Sequence, residues 1–214
     1  MPFARFAKMP QEKRERLLLI AAQEFAAHGY EGASLNRILE EAQLGKSSAY
    51  YYFEDKADLF CTVVDYSVRM LHLQPDKDNT MSLTAETFWP AFAAAHDQPL
   101  QHVKEHPALF GAARAVDRLT AESRRHESLA NLSHYTQEGM GTMITRGQEL
   151  GLIRTDLPQS LLLSWFRAID GAADDWLLAH LDELDQAAIS RISHATSATI
   201  ATALAPPANG EDAR

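Results

Sequence analysis

Apolar residues recur at steps of three and four almost everywhere in this chain, and no run alternates apolar with polar residues at period two. β-Branched residues are few and scattered. Steps of three and four place side chains on one face of an α-helix, whereas a half-buried strand needs strict alternation. The spacing therefore predicts an all-α protein. With 214 residues, 46% hydrophobic and 23% charged, the chain has material for one ordinary domain or two small ones with a real apolar core. That composition is neither disordered nor collagen-like. The longest uncharged apolar stretches, such as Leu161 to Phe166, fall well short of the roughly 20 residues a membrane span needs. No basic, apolar, small-residue leader opens the chain, so a cytoplasmic protein with no membrane partner is expected. The single cysteine, Cys61, can form no internal disulfide and is expected to be a small core hydrophobe.

Punctuation divides the helices. Pro10 opens the first, with Leu17, Ala21 and Phe25 on one face and Leu18 and Ala22 beside them, and His28-Gly29 closes it. Ser34 is an N-cap for a short second helix bearing Leu35, Ile38, Leu39 and Ala42, and Gln43-Leu44-Gly45 forms a tight break. A third short helix is expected over 46–53. Asp55 caps a fourth, with Leu59, Val63, Tyr66 and Met70 as its apolar positions, and Pro75 to Asn79 is expected to be a loop. Further helices are expected at about 84–105, 107–119, 121–150, 158–181 and 185–204, with Pro90 and Pro99 as possible kinks in the first of these. The expected organisation is an N-terminal three-helix domain over 1–58, a larger helical domain over 59–205 and a frayed tail over 206–214.

Two short helices joined by about three residues and braced by a longer helix in front form a helix-turn-helix, whose second helix enters the DNA major groove. That helix here carries Lys46, Ser47, Ser48, Tyr50, Tyr51 and Tyr52, hydrogen-bonding side chains suited to phosphates and base edges. Successive helical residues turn by about 100°, so at least one of the three tyrosines should pack inward. The alternative is a tyrosine-rich packing corner with solvated lysines. The net charge of −9 argues against a nucleic-acid partner, but residues 1–60 carry 8 basic and 9 acidic side chains, leaving most of the excess acid in the remainder.

Ala22, Phe25, Gly29 and Tyr30 in the first helix, Ser34, Ile38 and Ala42 in the second, and the ending Tyr50, Tyr52, Phe53, Lys56 and Leu59 resemble the N-terminal DNA-binding domain of the TetR family of transcriptional regulators. The resemblance covers residues 14–59, about a fifth of the chain. It implies base-edge or groove contacts from Lys46, Ser47, Ser48 and Tyr51, and phosphate contacts from Ser34, Tyr50, Tyr52 and Lys56. Arg37 is placed to reach a base or a phosphate. Two departures stand out. Gln43 occupies a position where the family commonly has Gly, and is expected to adopt a backbone conformation that Gly accepts more easily. Gly45 stands where the family commonly has Ser or Thr.

The resemblance further implies that the remaining helices form a homodimer and a cavity for a small organic effector, so that the protein is a ligand-responsive repressor on a palindromic double-stranded DNA operator. Effector binding would shift the fourth helix and change the spacing of the two reading helices. Leu162, Trp165, Ile169, Ala172 and Trp176, with Ile192 on the last helix, form stripes that are either a dimer interface or intramolecular core. Trp89, Phe92, His96, Phe110, Arg114, Tyr135 and Met143 are the candidate cavity lining, although each aromatic alone also suits plain core. Arg114 lies on an apolar segment and needs a partner, either a ligand carboxylate or Asp170 or Asp174.

The rival reading is a metal-binding or enzymatic helical protein using the histidines of the larger domain. His102 and His106 are four residues apart, with His96 six residues before the first of them. The order lacks a His-Glu-x-x-His pattern, Pro107 interrupts, and the sequence shows no nucleophile elbow and no Gly-rich phosphate loop. No metal, cofactor or enzymatic activity is expected.

Overall fold

The computed structural model describes residues 4–45, 50–71, 73 and 77–207, the side chains of 77, 78 and 133–137 excepted. No strand occurs among them. The helices are α1 (Gln11–Gly32), α2 (Leu35–Glu41), a helical turn at 50–52, α3 (Lys56–Met70), α4 (Lys77–Ser82), α5 (Phe88–Leu100), α6 (Pro107–Arg114), α7 (Glu127–Glu149), α8 (Gln159–Ala179) and α9 (Gln186–Leu204). They sort into two compact units, one of residues 1–73 with 102–136 and one of 74–101 with 137–214.

In the first unit α1 packs against α3 and α6. Leu17, Leu18, Ala21, Ala22 and Phe25 of α1 are buried as its spacing predicted, and the Phe25 and Phe60 rings meet edge to face at 4.9 Å. Gly29 takes a positive φ of 64° and breaks the regular helix there. The inward stripe of α3 is rotated from the one expected. Leu59 and Val63 are buried, but Phe60, Val64 and Ser67 complete the face, while Tyr66 is half-buried and Met70 is exposed. Cys61 is half-buried, its thiol lies 3.6 Å from the Ser128 carbonyl, and burial pushes its pKa up to about 11.

In the second unit Leu83, Phe88, Phe92, Ile144, Ile153, Leu162, Ile200 and Leu204 form one buried cluster. The expected loop at 75–79 is shorter than predicted, since α4 begins at Lys77, and 74–76 lie outside the described residues. Pro90 does not interrupt α5, because it sits in the first turn where its missing N–H has no helical partner to lose. The helix expected over 84–105 is confined to 88–100, with turns on either side. Residues 208–214 of the expected tail lie outside the described residues.

Candidate DNA-binding surface

Ser34 starts α2 as predicted, its Oγ accepting from the Arg37 N–H at 3.4 Å. At the other end, the Leu44 N–H donates to the Leu39 carbonyl (2.8 Å) and the Gln43 N–H to that of Glu40 (3.0 Å). This paired closure needs a left-handed residue, and Gln43 supplies it at φ 56°. The departure noted in the sequence is therefore a strained backbone position at the turn itself.

Lys46, Ser47 and Ser48 lie outside the described residues. Beyond them Tyr50 and Tyr51 are 63% and 51% exposed, while Tyr52 is half-buried with its ring 6.2 Å from Phe6. One tyrosine thus faces inward, and two remain open to a partner, as the 100° step requires. Phe53 is buried, its ring 4.9 Å from that of Phe6.

Three further residues assigned to DNA are engaged within the protein. Arg37 Nη1 lies 2.8 Å from Oε1 and 2.9 Å from Oε2 of Glu24, which is only 9% exposed. The Ser34 N–H donates to the same carboxylate at 2.8 Å. Burial works against the charge on Glu24, but the Ser34 N–H and the Arg37 guanidinium outweigh it and hold the carboxyl below its ordinary range. Lys56 is engaged at the end of α1. Its ammonium donates to the carbonyls of Tyr30 (2.8 Å), Ala33 (3.2 Å) and Glu31 (3.3 Å) and sits 4.6 Å from the Tyr30 ring centroid. The end of a helix leaves carbonyls without intrahelical partners and carries partial negative charge, which is what a lysine there satisfies. Sequence spacing does not reveal this, because Lys56 and Tyr30 are 26 positions apart.

Asp55 caps α3 by accepting from the Asp58 N–H at 2.8 Å, and its other oxygen lies 3.0 Å from His126 Nε2. Burial opposes the charge of Asp55, and the Asp58 N–H and His126 overcome it, lowering its pKa.

The candidate cavity residues divide between the units. Trp89, Phe92, His96 and Met143 belong to the second, Phe110 and Arg114 to the first, and the Tyr135 side chain lies outside the described ones. Trp89 and Phe92 stand edge to face at 5.6 Å, and Phe92 meets Phe166 at 6.2 Å. His96 joins three helices, its Nε2 lying 2.9 Å from Asp170 and its Nδ1 2.9 Å from the Ser193 hydroxyl. A neutral ring donating to Asp170 accepts from Ser193, so both nitrogens are matched. Asp170 therefore pairs with His96, and Arg114 lies 3.4 Å from Asp117, a partner not considered from sequence.

On α8, Leu162 is fully buried in the core of its own unit and offers no surface to a second copy. Leu161, one residue and 100° away, is 38% exposed and shares the outward side with Ala172 and with Trp176 at 48%. Trp165, Ile169 and Ile192 are half-buried. His102 pairs with Glu105 at 3.3 Å in a turn, and His96 belongs to the other unit. Among the described residues no three of His, Cys, Asp and Glu are grouped to hold a metal, and no helix is long and apolar enough to cross a membrane.

Residues 17–62 match the family described as bacterial regulatory proteins, tetR family. The chain is 28% identical over 159 residues to the HTH-type transcriptional repressor SCO4008 of Streptomyces coelicolor, spanning 73% of this chain and 76% of that one. Its fold is similar to that of a TetR family transcriptional regulator from Chloroflexus aurantiacus, with TM-score 0.60, 21% identity and coverage of 96% and 99% of the two chains. It is also similar in fold to the transcriptional regulator FadR from Bacillus subtilis in complex with stearoyl-CoA, with TM-score 0.65, 12% identity and coverage of 89% and 98%.

Proposed function

Because the chain belongs to the TetR family of bacterial regulatory proteins and is a DNA-binding transcriptional regulator, we propose that it is a cytoplasmic, effector-controlled repressor. Two copies bind a palindromic operator. The observation that carries this reading is the pair of exposed tyrosines, Tyr50 and Tyr51, in the helical turn at 50–52 that follows α2 in the chain. Large rings left in water at that place suit a groove, a phosphate or a thymine methyl. Lys46, Ser47, Ser48 and Tyr51 read the groove, and Tyr50 contacts phosphate. Ser34, Arg37, Tyr52 and Lys56 set the geometry of the reading helix through their contacts inside the protein.

The second copy packs along α8 and α9, with Leu161, Trp165, Ala172 and Trp176 at the contact. Exposed tryptophan and leucine on one helix side support an interface, and a two-fold dimer matches half-sites about one helical turn of DNA apart. The effector is a small organic molecule held among the aromatic residues of the second unit, near Trp89, Phe92 and Met143. The stearoyl-CoA bound to a protein of similar fold supports an effector of this kind. To release DNA, the effector must prefer the dimer geometry that does not fit the operator.

Selection of binding sites from random duplex DNA by the purified protein tests the reading. A palindrome enriched by the wild type and not by Tyr51→Ala is the expected result; no enrichment by a folded dimer in the absence of effector contradicts it.

A further inference from the structure

The short segment ahead of α1 is built onto the reading helix, and we infer that Arg5 is a positioning residue for DNA recognition, acting through the ring of Tyr51. The inference rests on the reading above that this surface binds duplex DNA. Arg5 lies outside the stretch 17–62 that matches the family, so nothing in that match assigns it a role.

The guanidinium carbon of Arg5 stands 4.3 Å from the centroid of the Tyr51 ring. Its neighbour Phe6 is 6% exposed and begins a turn of 3-10 helix over Phe6–Lys8. The Phe6 ring packs 4.9 Å from Phe53 and 6.2 Å from Tyr52, and Tyr52 in turn meets Tyr51 edge to face at 5.0 Å. Met9 is buried, and Arg14 on α1 donates to the Ala7 carbonyl at 3.2 Å. The segment is thus anchored at Phe6 and Met9, and the anchor delivers Arg5 to one face of a tyrosine whose edge is fixed by Tyr52.

A half-exposed tyrosine otherwise spreads over several rotamers, and ordering it on DNA costs entropy at the moment of binding. A planar guanidinium on the ring face restricts those rotamers beforehand. The hydroxyl edge is left displayed in one direction, so Tyr51 arrives at the groove preorganised. Arg5 on this account touches the reading tyrosine and not the DNA.

A double-mutant cycle on the duplex enriched by the wild type tests this, with fluorescence anisotropy titrations of wild type, Arg5→Ala, Tyr51→Ala and the double variant at several salt concentrations. Arg5→Ala is expected to weaken binding roughly two- to five-fold, the scale of an exposed cation–π contact. Its salt slope should equal that of the wild type, and it should cause no further loss once Tyr51 is alanine. Arg5→Gln, which keeps the stem, is measured beside it so that a folding defect in one variant does not stand in for the answer. The inference is overturned by unchanged affinity. It is equally overturned by the same loss in both backgrounds with a salt slope smaller by about one, the mark of a direct phosphate contact. A wild type that enriches no duplex overturns instead the reading on which the inference rests.

Discussion

The Glu24 carboxylate of α1 and the Arg37 guanidinium of α2 meet at 2.8 Å, one 9% exposed and the other 55% exposed at its side chain. The same carboxylate accepts the Ser34 N–H, so a single acid orients the start of α2 against the brace helix. Arg37→Ala leaves Glu24 charged and buried with one fewer donor and should cost about 2 kcal/mol of stability. Chemical denaturation measures it, and a loss within 0.5 kcal/mol of zero, the scale of ordinary surface substitutions, contradicts the bracing role.

Glu24 also contributes to the acid response. Its folded pKa lies below the ordinary value of 4.5, so its contribution is complete above that value and disappears as pH falls through the folded pKa. Asp55 is lowered too and acts in the same direction. Stability should therefore fall on acidification below about pH 5, and less steeply in Glu24→Gln. Identical slopes for the two proteins between pH 5 and about 3 would remove Glu24 from the account.

Gln43→Gly should stabilise the protein by about 1 kcal/mol, because it relieves a side chain held at φ 56°. Gln43→Val, branched at Cβ, should destabilise it. Thermal or urea unfolding distinguishes the two, and a Gly variant no more stable than wild type contradicts the strain at this turn.

Lys56→Met keeps the stem and removes three donors from the end of α1. A loss of about 1–2 kcal/mol in stability is expected. The slope of log affinity against log salt on the selected duplex should be unchanged. A slope smaller in magnitude by about one would restore Lys56 to a phosphate.

The brace helix and the second helix were legible in the sequence, because each follows from local spacing or local chemistry, and the left-handed position at Gln43 was legible through the family resemblance, which commonly has Gly there. The engagement of Arg37 and Lys56 was not. Both are cations beside a predicted reading helix, and only the three-dimensional approach of Glu24 and of the α1 carbonyls shows that they have partners within the chain. The same limit explains Leu162. A stripe at three- and four-residue steps locates an apolar side of α8 but not its edge, and one residue separates buried Leu162 from exposed Leu161. His96 was read as cavity lining, while its partners Asp170 and Ser193 are 74 and 97 positions away.

On the proposed reading, exposed Leu161 and Trp176 lie at the contact between two copies. Trp176→Asp together with Leu161→Asp places charge on an apolar contact and should give a folded monomer with greatly weakened operator binding. Light scattering after size exclusion reads the mass. A variant that remains dimeric would move the interface elsewhere.

The most direct test of the central claim is titration of the selected duplex, against a scrambled one, with wild type and with Lys46→Ala and Tyr51→Ala. The account predicts sequence-selective binding by the wild type, at least about ten-fold weaker in each variant in keeping with the loss of a base-reading contact, with unfolding transitions unchanged. Equal affinity of wild type and both variants for the selected duplex would contradict the claim that this surface reads DNA.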